Sequence, residues 1–156
     1  MTNTLEASIH IDASPAAVWS VVSDLKRMGE WSPQCRMMRV FGGEVRQGTK
    51  TFNVNKKGLL VWPTSSKVTR FEPNEAIAWR VVENHTIWTY ELTPTENGTT
   101  LTERREAPTG TTKISSFLVD KMMGGTAGFE QDMIKGMNTT LARIKSEVES
   151  KAPAAR

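Results

Sequence analysis

The stretch Trp88–Glu106, WTYELTPTENGTTLTERRE, decides the fold because it reads as a complete antiparallel hairpin. Apolar and polar residues alternate on both sides of TENG, a run of turn-forming residues. If Thr95 to Gly98 form a four-residue loop, the pairing across the hairpin is fixed. The predicted pairs are Leu92 with Leu101, Tyr90 with Glu103, and Trp88 with Arg105.

The preceding segment can be aligned on the same strand from the other side. A two-residue turn at Asn84-His85 predicts the pairs Ile77 with Leu92, Trp79 with Tyr90, and Val81 with Trp88. Both hairpins place Trp88, Tyr90 and Leu92 on one face, and a slip of one residue would turn all of them outward. The predicted inner face is therefore mainly apolar, with Tyr90, Glu103 and Arg105 as its polar members.

Upstream of these hairpins the chain continues as a meander that follows one strand and two short helices. Alternating runs from CRMMRVFGG to TERREAP, separated by turn signals such as KKG and EPNE, predict about six strands. Before them, TLEASIHID alternates as a half-buried strand. Ser14 is then placed to cap a helix, Pro15 suits its first position, and Gly29 and Pro33 mark the end of the helical region.

After the meander the periodicity becomes helical. One apolar stripe contains Ile114, Phe117, Leu118 and Met122, and GGTAG predicts a helix break at Gly124–Gly128. A longer stripe predicts a C-terminal helix through Phe129, Met133, Met137, Leu141, Ile144 and Val148. Residues 151–156, KAPAAR, are predicted to be a disordered tail. The order of elements indicates the α+β class.

Composition favours a single domain spanning residues 1–156. The net charge is only +3 and the basic residues are scattered, which disfavours a nucleic-acid partner. Cys35 is the only cysteine, so no internal disulfide can form. No signal peptide and no apolar run of membrane-spanning length is visible, so we expect a cytoplasmic protein without stable membrane insertion. We expect a monomer or a weak homodimer.

Three segments together resemble a known superfamily: IDASPAAVWSVVSDLKRMGEWSP, the Trp88–Glu106 hairpin, and the C-terminal TLARIKSEVE. They look like the START-like (SRPBCC) proteins, and most like their polyketide cyclase/dehydratase-like branch. The resemblance implies a helix-grip fold: a curved antiparallel sheet of about seven strands wrapped around a long C-terminal helix, with an apolar cavity between them. It implies a lipid, polyketide or other aromatic ligand, and it carries over no catalytic residues.

The five Trp and eight Met residues suit a pocket for irregular apolar ligands, although any single Met can equally be core filler. Trp19 is better explained as core. Trp31 fits the core and a cavity entrance equally well, and Trp62 fits an edge strand and a cavity rim equally well. The predicted ligand-binding residues are Trp31, Met38, Phe52, Trp62, Trp79, Trp88, Tyr90, Glu103, Phe117, Met122, Met133 and Met137.

Glu103 carries the sharpest chemical prediction. An inward carboxylate is costly unless it has a partner, and an ion pair with Arg105 on the same face is the favoured explanation. The alternative is a ligand anchor, or a general acid/base with a raised pKa, and the catalytic candidates are then Glu103, Tyr90 and Arg105. The two histidines, His10 and His85, form no ligand-spaced cluster, so we expect no metal and no cofactor.

Three functions are compatible with these features. The first is binding of a small hydrophobic or aromatic molecule in the cavity. The second is a metal-free cyclase, aromatase or dehydratase that acts on a ligand in the same cavity. The third is a module that binds a protein partner or a membrane through KISSFLVDKMMGG. Fold alone does not choose among them.

Overall fold

The computed structural model describes residues 3–107 and 125–151. Their elements, in chain order, are β1 (Asn3–Ile11), α1 (Pro15–Val22), a 3-10 turn (Leu25–Arg27), α2 (Met28–Trp31), β2 (Cys35–Val40), β3 (Lys50–Lys57), β4 (Leu60–Glu72), β5 (Ala76–Val81), β6 (Ile87–Thr95), β7 (Gly98–Ala107) and α3 (Gly125–Lys151). The α+β helix-grip prediction is confirmed, with seven strands among the described residues.

All strand pairs are antiparallel, and the sheet has the order β1-β7-β6-β5-β4-β3-β2. The first strand therefore crosses over to pair with the last one. We call the face of the sheet that packs towards the core and α3 its inner face. The last hairpin has the predicted register, with Leu92 opposite Leu101 and Tyr90 opposite Glu103.

The predicted register of the β5–β6 hairpin is wrong by two residues. Ile77 pairs with Tyr90, and Trp79 pairs with Trp88. The loop is longer than a two-residue turn, because the amide of Val81 donates to the carbonyl of Thr86 at 2.8 Å. His85 closes this loop at a φ of 62°. An even offset leaves every side chain on its predicted face, so the inner face still carries Trp79, Trp88 and Tyr90.

The short helices pack closely against the sheet, and α2 lies against its edge strand β2. The Ser14 hydroxyl accepts the amide of Ala17 at 3.2 Å, which confirms the predicted cap. A Cβ on Gly29 would lie 2.2 Å from the carbonyl oxygen of Arg36, so only glycine allows α2 to approach β2 this closely. Trp19 is partly buried and packs edge-to-face on Phe71, with ring centroids 5.3 Å apart.

Helix α3 supplies the predicted apolar stripe. Leu141, Ile144 and Val148 are at most 1% exposed and join the core formed by the sheet and α1. Polar contacts tie the same helix to β1: the Lys145 ammonium donates to the carbonyl of His10 at 2.8 Å. Among the described residues, no helix is long and apolar enough to cross a membrane.

Both ends of α3 differ from the sequence prediction. The helix begins at Gly125, so Gly125 and Gly128 belong to its first turn and not to a break. It ends at Lys151, one residue into the predicted tail. The rest of that tail, Gly124, and the whole KISSFLVDKMM segment with Phe117 and Met122 lie outside the described residues.

The β3–β4 hairpin corrects the placement of Phe52. Lys57 pairs with Leu60 across a two-residue turn in which Gly58 has a φ of 60°. This register turns Phe52 to the outer face, where it is 39% exposed. The inner face of β3 carries Thr51, Asn53 and Asn55 instead, so the apolar positions of this strand point away from the core.

Candidate functional site

A cavity of about 470 Å3 lies between the inner face of the sheet and α3. Its volume falls within the range that small-molecule sites occupy in proteins. Strands β2 to β7 form its wall on one side, and one face of α3 closes the other. The predicted site residues that line it are Met38, Trp62, Trp79, Trp88, Glu103, Arg105, Met133 and Met137.

Trp62, Trp79 and Trp88 give this cavity its large apolar surfaces. Trp79 and Trp88 are cross-strand partners on the inner face of β5 and β6. Trp62 lies on β4 beyond the point where β4 pairs with β5, and there it is half-buried at the wall of the cavity. Both interpretations of Trp62 therefore describe it: it is on a locally unpaired strand edge and it lines the cavity.

Three of the predicted site residues do not line the cavity. Phe52 lies on the outer face and points away from it. Trp31 is 3% exposed and belongs to the core, with the Arg27 guanidinium 4.8 Å from its ring centroid. Tyr90 is 1% exposed, and its hydroxyl donates to the sulfur of Met28 at 3.8 Å. Burial raises the pKa of Tyr90 well above its ordinary value, so its hydroxyl is a poor proton donor.

The carboxyl group of Glu103 lines the cavity and has no ion-pair partner among the described residues. The side chain is 6% exposed, and Oε1 is the one buried side-chain oxygen or nitrogen in the described part of the chain that makes no hydrogen bond. Desolvation raises the pKa of Glu103 from 4.5 to about 8. At neutral pH this carboxyl group is therefore mainly protonated and can donate a hydrogen bond into the cavity.

The predicted ion pair between Glu103 and Arg105 is wrong. The guanidinium of Arg105 instead lies 5.5 Å from the ring centroid of Phe129 on α3. Residues two apart on a strand are separated by roughly 7 Å, so a side chain that leans towards α3 leaves its neighbour without a partner. Burial lowers the pKa of Arg105, and the nearby carboxylate of Glu130 opposes that shift. Arg105 thus brings a positive charge to another part of the same cavity.

A second group of inner-face residues was not predicted from the sequence, and we call it the polar wall. It consists of Thr51, Asn53 and Asn55 on β3 with Thr64 and Ser66 on β4. All five residues are buried, and Asn53, Asn55 and Thr64 line the cavity. A signal for it existed in the sequence: once the KKGLL turn is set, Trp62 and Val68 can face inward only if these five residues do so too.

The cavity also borders an ion pair and the only cysteine of the sequence. The ammonium of Lys57, at the tip of the β3–β4 hairpin, lies 2.6 Å from a carboxylate oxygen of Asp132 on α3. Both residues line the cavity, so this contact spans it at one edge. Burial raises the pKa of the Cys35 thiol to about 11, which keeps it protonated and unreactive as a nucleophile at neutral pH.

An open antiparallel sheet with a long C-terminal helix packed across it defines the helix-grip class of α+β domain. The comparisons identify its family: residues 2–149 match the model for "Polyketide cyclase / dehydrase and lipid transport", and the chain belongs to this family. A comparison with curated proteins finds no match.

Solved structures resemble the chain over nearly its whole length. The polyketide-cyclase-like protein Cgl2372 from Corynebacterium glutamicum is 31% identical, with a TM-score of 0.62, and the match covers 97% of this chain and 94% of that one. The Zhui aromatase/cyclase from a Streptomyces species is 16% identical, with a TM-score of 0.76 and coverage of 99% and 98%. The di-domain aromatase/cyclase StfQ from the steffimycin pathway is 14% identical, with a TM-score of 0.74; the match covers 99% of this chain and 53% of StfQ. The last two establish the shared fold.

Proposed function

We propose that this protein binds a small hydrophobic or aromatic molecule in the cavity between the sheet and α3. The observation that carries the proposal is the composition of the cavity lining: Trp79 and Trp88 offer flat surfaces, and Met38, Met133 and Met137 offer adaptable ones. The family description and the aromatase/cyclase named among the similar structures support a ligand of this kind.

A neutral fluorescent probe, N-phenyl-1-naphthylamine, tests this proposal directly. We expect micromolar binding to the folded protein, with quenching of tryptophan emission by the bound probe. Met133→Trp, which adds bulk at a buried position on the cavity wall, should weaken probe binding by about tenfold or more. Gln131→Trp, at an exposed position two residues away, is the matched control and should bind as the wild type does.

Native mass spectrometry of the purified protein, followed by solvent extraction, would identify a natural ligand. Wild-type affinity for the probe in Met133→Trp would place the binding elsewhere and contradict the proposal.

A second candidate function is metal-free acid–base catalysis of the cyclase or dehydratase type. It is favoured by the unpaired carboxyl group of Glu103, whose pKa of about 8 suits proton exchange near neutral pH. Arg105 could stabilise negative charge that develops elsewhere on the ligand. Tyr90 supports this role less, because its hydroxyl faces Met28 and not the cavity.

Glu103→Gln separates the two candidates once a compound has been recovered from the protein. Gln keeps the size and a hydrogen-bond donor but cannot exchange a proton at neutral pH. If the protein is only a binder, the variant should bind that compound within about tenfold of the wild type and show no lost activity. If it is an enzyme, conversion of the compound should fall by about a hundredfold or more while binding persists.

Monomeric or weakly dimeric association, the absence of nucleic-acid partners and a cytoplasmic location stay predictions. So does docking of a protein or a membrane through KISSFLVDKMMGG, a segment that lies almost wholly outside the described residues.

A further inference from the structure

The polar wall is a connected chain of hydrogen bonds whose direction can be worked out. The Thr51 hydroxyl donates its one hydrogen to Oδ1 of Asn53 at 2.9 Å. Its contact with the Ser66 hydroxyl must therefore be donated by Ser66. The Asn53 amide in turn donates to Oγ1 of Thr64 at 3.2 Å, so the chain runs from Ser66 through Thr51 and Asn53 to Thr64.

Thr64 is the last member of this series of hydrogen bonds, and its hydroxyl hydrogen is not donated to any of them. Its Oγ1 accepts from Asn53 and also from the Asn55 amide at 3.0 Å, which occupies both lone pairs. Within the described part of the chain, the Thr64 hydroxyl donates no hydrogen bond, although the residue is only 8% exposed. Because Thr64 lines the cavity, its hydroxyl is a donor that is available there.

The neighbouring amides of the polar wall do not serve the same acceptor. The Asn53 amide has two hydrogens, and the bond to Thr64 uses one of them. The two hydrogens of an amide group diverge by about 120°, so the second one points away from any acceptor that the Thr64 hydroxyl can reach. The amide of Asn55 donates both of its hydrogens, one to the hydroxyl oxygen of Thr64 and one to the carbonyl of Trp62.

A ligand that fills the cavity removes water from the Thr64 hydroxyl. A buried donor without an acceptor costs free energy, so a purely hydrocarbon ligand is disfavoured at this wall. No residue of the polar wall carries a formal charge, so an uncharged acceptor matches it better than an anion does.

We propose that Thr64 forms a carbonyl-recognition subsite, at which a flat apolar ligand places an uncharged carbonyl oxygen against the Thr64 hydroxyl. This inference rests on the proposed function, because it specifies the ligand of the same cavity. It makes Thr64 a specificity-determining residue, and it orients the ligand with its oxygen towards β3 and β4 and its rings towards Trp79.

Fluorene and 9-fluorenone test the subsite because they share a skeleton and differ by one carbonyl group. We expect the wild type to bind fluorenone about tenfold more tightly than fluorene, measured by displacement of N-phenyl-1-naphthylamine. Thr64→Val, which keeps the shape and removes the hydroxyl, should abolish this preference while fluorene affinity changes by about twofold or less. Thr64→Ser should restore it, and Thr93→Val, on the exposed outer face of β6, is the matched control.

Infrared spectroscopy of bound fluorenone keeps the test valid if Thr64→Val folds poorly. In the wild type, hydrogen bonding should shift the carbonyl band to lower frequency than in hexane. Equal binding of fluorene and fluorenone, an unshifted band, or a preference that persists in Thr64→Val would overturn the subsite and leave the proposed function standing. Failure of the wild type to bind the fluorescent probe or either fluorene would overturn both.

Discussion

The inner face of the sheet is apolar at the β6–β7 end and polar at the β3–β4 end. At the β6–β7 end, Leu92 and Leu101 pair on the inner face and are buried in the core. At the β3–β4 end, the inner-face residues are those of the polar wall, which carry hydroxyl and amide groups. The difference indicates that an apolar stripe marks the inner face where side chains pack on other side chains. Where the face borders a cavity, polar residues can occupy it if they satisfy one another.

The largest expected difference between the two ends is in packing energy. Leu101 is fully buried, and Leu101→Ala should lower the free energy of unfolding by about 3 kcal/mol, measured by urea denaturation. Leu59, at the tip of the β3–β4 hairpin, is 100% exposed and provides the matched control, since Leu59→Ala removes the same atoms. Equal costs at the two positions would refute the described burial.

Glu103 brings an unpaired carboxyl group to the apolar end, and its effect on stability should depend on pH. The folded protein holds its proton up to a pKa of about 8, whereas the unfolded chain loses it near 4.5. The stability that the protonated carboxyl group contributes is therefore complete below pH 4.5 and is lost as the pH rises through 8.

Glu103→Gln removes this dependence. At pH 8 the variant should be more stable than the wild type by about 2 kcal/mol, less than the full pKa displacement implies, because water in the cavity relieves part of the desolvation. Near pH 4.5 the two proteins should be equally stable in urea denaturation. The control is Glu106→Gln, on the outer face of the same strand. A wild-type stability that does not fall between pH 5 and 8 relative to Glu103→Gln would contradict the raised pKa.

A substitution in the polar wall should lower the free energy of unfolding by less than a substitution in the apolar core does. Thr51 is 1% exposed, and Thr51→Val keeps its shape but leaves Oδ1 of Asn53 without its donor. We expect a loss of about 1 kcal/mol in the free energy of unfolding. Thr93→Val, at an exposed position, should change it by less than about 0.5 kcal/mol. A gain in stability from Thr51→Val would show that the wall does not need its hydrogen-bond chain.

Phe52 gives the smallest effect and the clearest check of which face is inner. Because its ring lies on the outer face, Phe52→Ser should change the free energy of unfolding by about 0.5 kcal/mol or less. It should also leave probe affinity unchanged. Phe71→Ser, which removes a ring packed on Trp19, is the comparison and should cost at least about 1 kcal/mol. A large loss of probe binding in Phe52→Ser would favour the face predicted from the sequence.

Prediction from the sequence succeeded at the packed β6–β7 end of the sheet and failed for the face of β3. Alternation around Leu92 and Leu101 predicted the strand pairing and the faces of this hairpin, because that end of the sheet is packed core. The β5–β6 register was wrong because loop length at His85 depends on backbone conformation and not on hydrophobicity. The sequence favoured an inward Phe52 because its strand alternates between apolar and amide residues, and the apolar set of such a strand is normally the buried one.

The site was predicted in part for a related reason. The Trp and Met residues on the inner face were identified, because residues of their type stand out in the sequence. The unpaired carboxyl group of Glu103 with a raised pKa was only the alternative prediction, because the strand places Arg105 on the same face and only α3 determines that Arg105 leans towards Phe129. Contacts between distant segments of the chain decide such side-chain directions, and periodicity carries no information about them.

The contact between Lys57 and Asp132 ties the hairpin tip to α3 across 75 positions of the chain. This contact should affect how fast a ligand enters and leaves the cavity. If a ligand passes this edge, the ion pair must separate both when the ligand arrives and when it leaves. Salt screens such a partly exposed pair, so raising the ionic strength should speed association and dissociation by similar factors. A stopped-flow experiment would then record faster exchange of the neutral probe at an unchanged equilibrium constant, and in Lys57→Met the rates should no longer respond to salt.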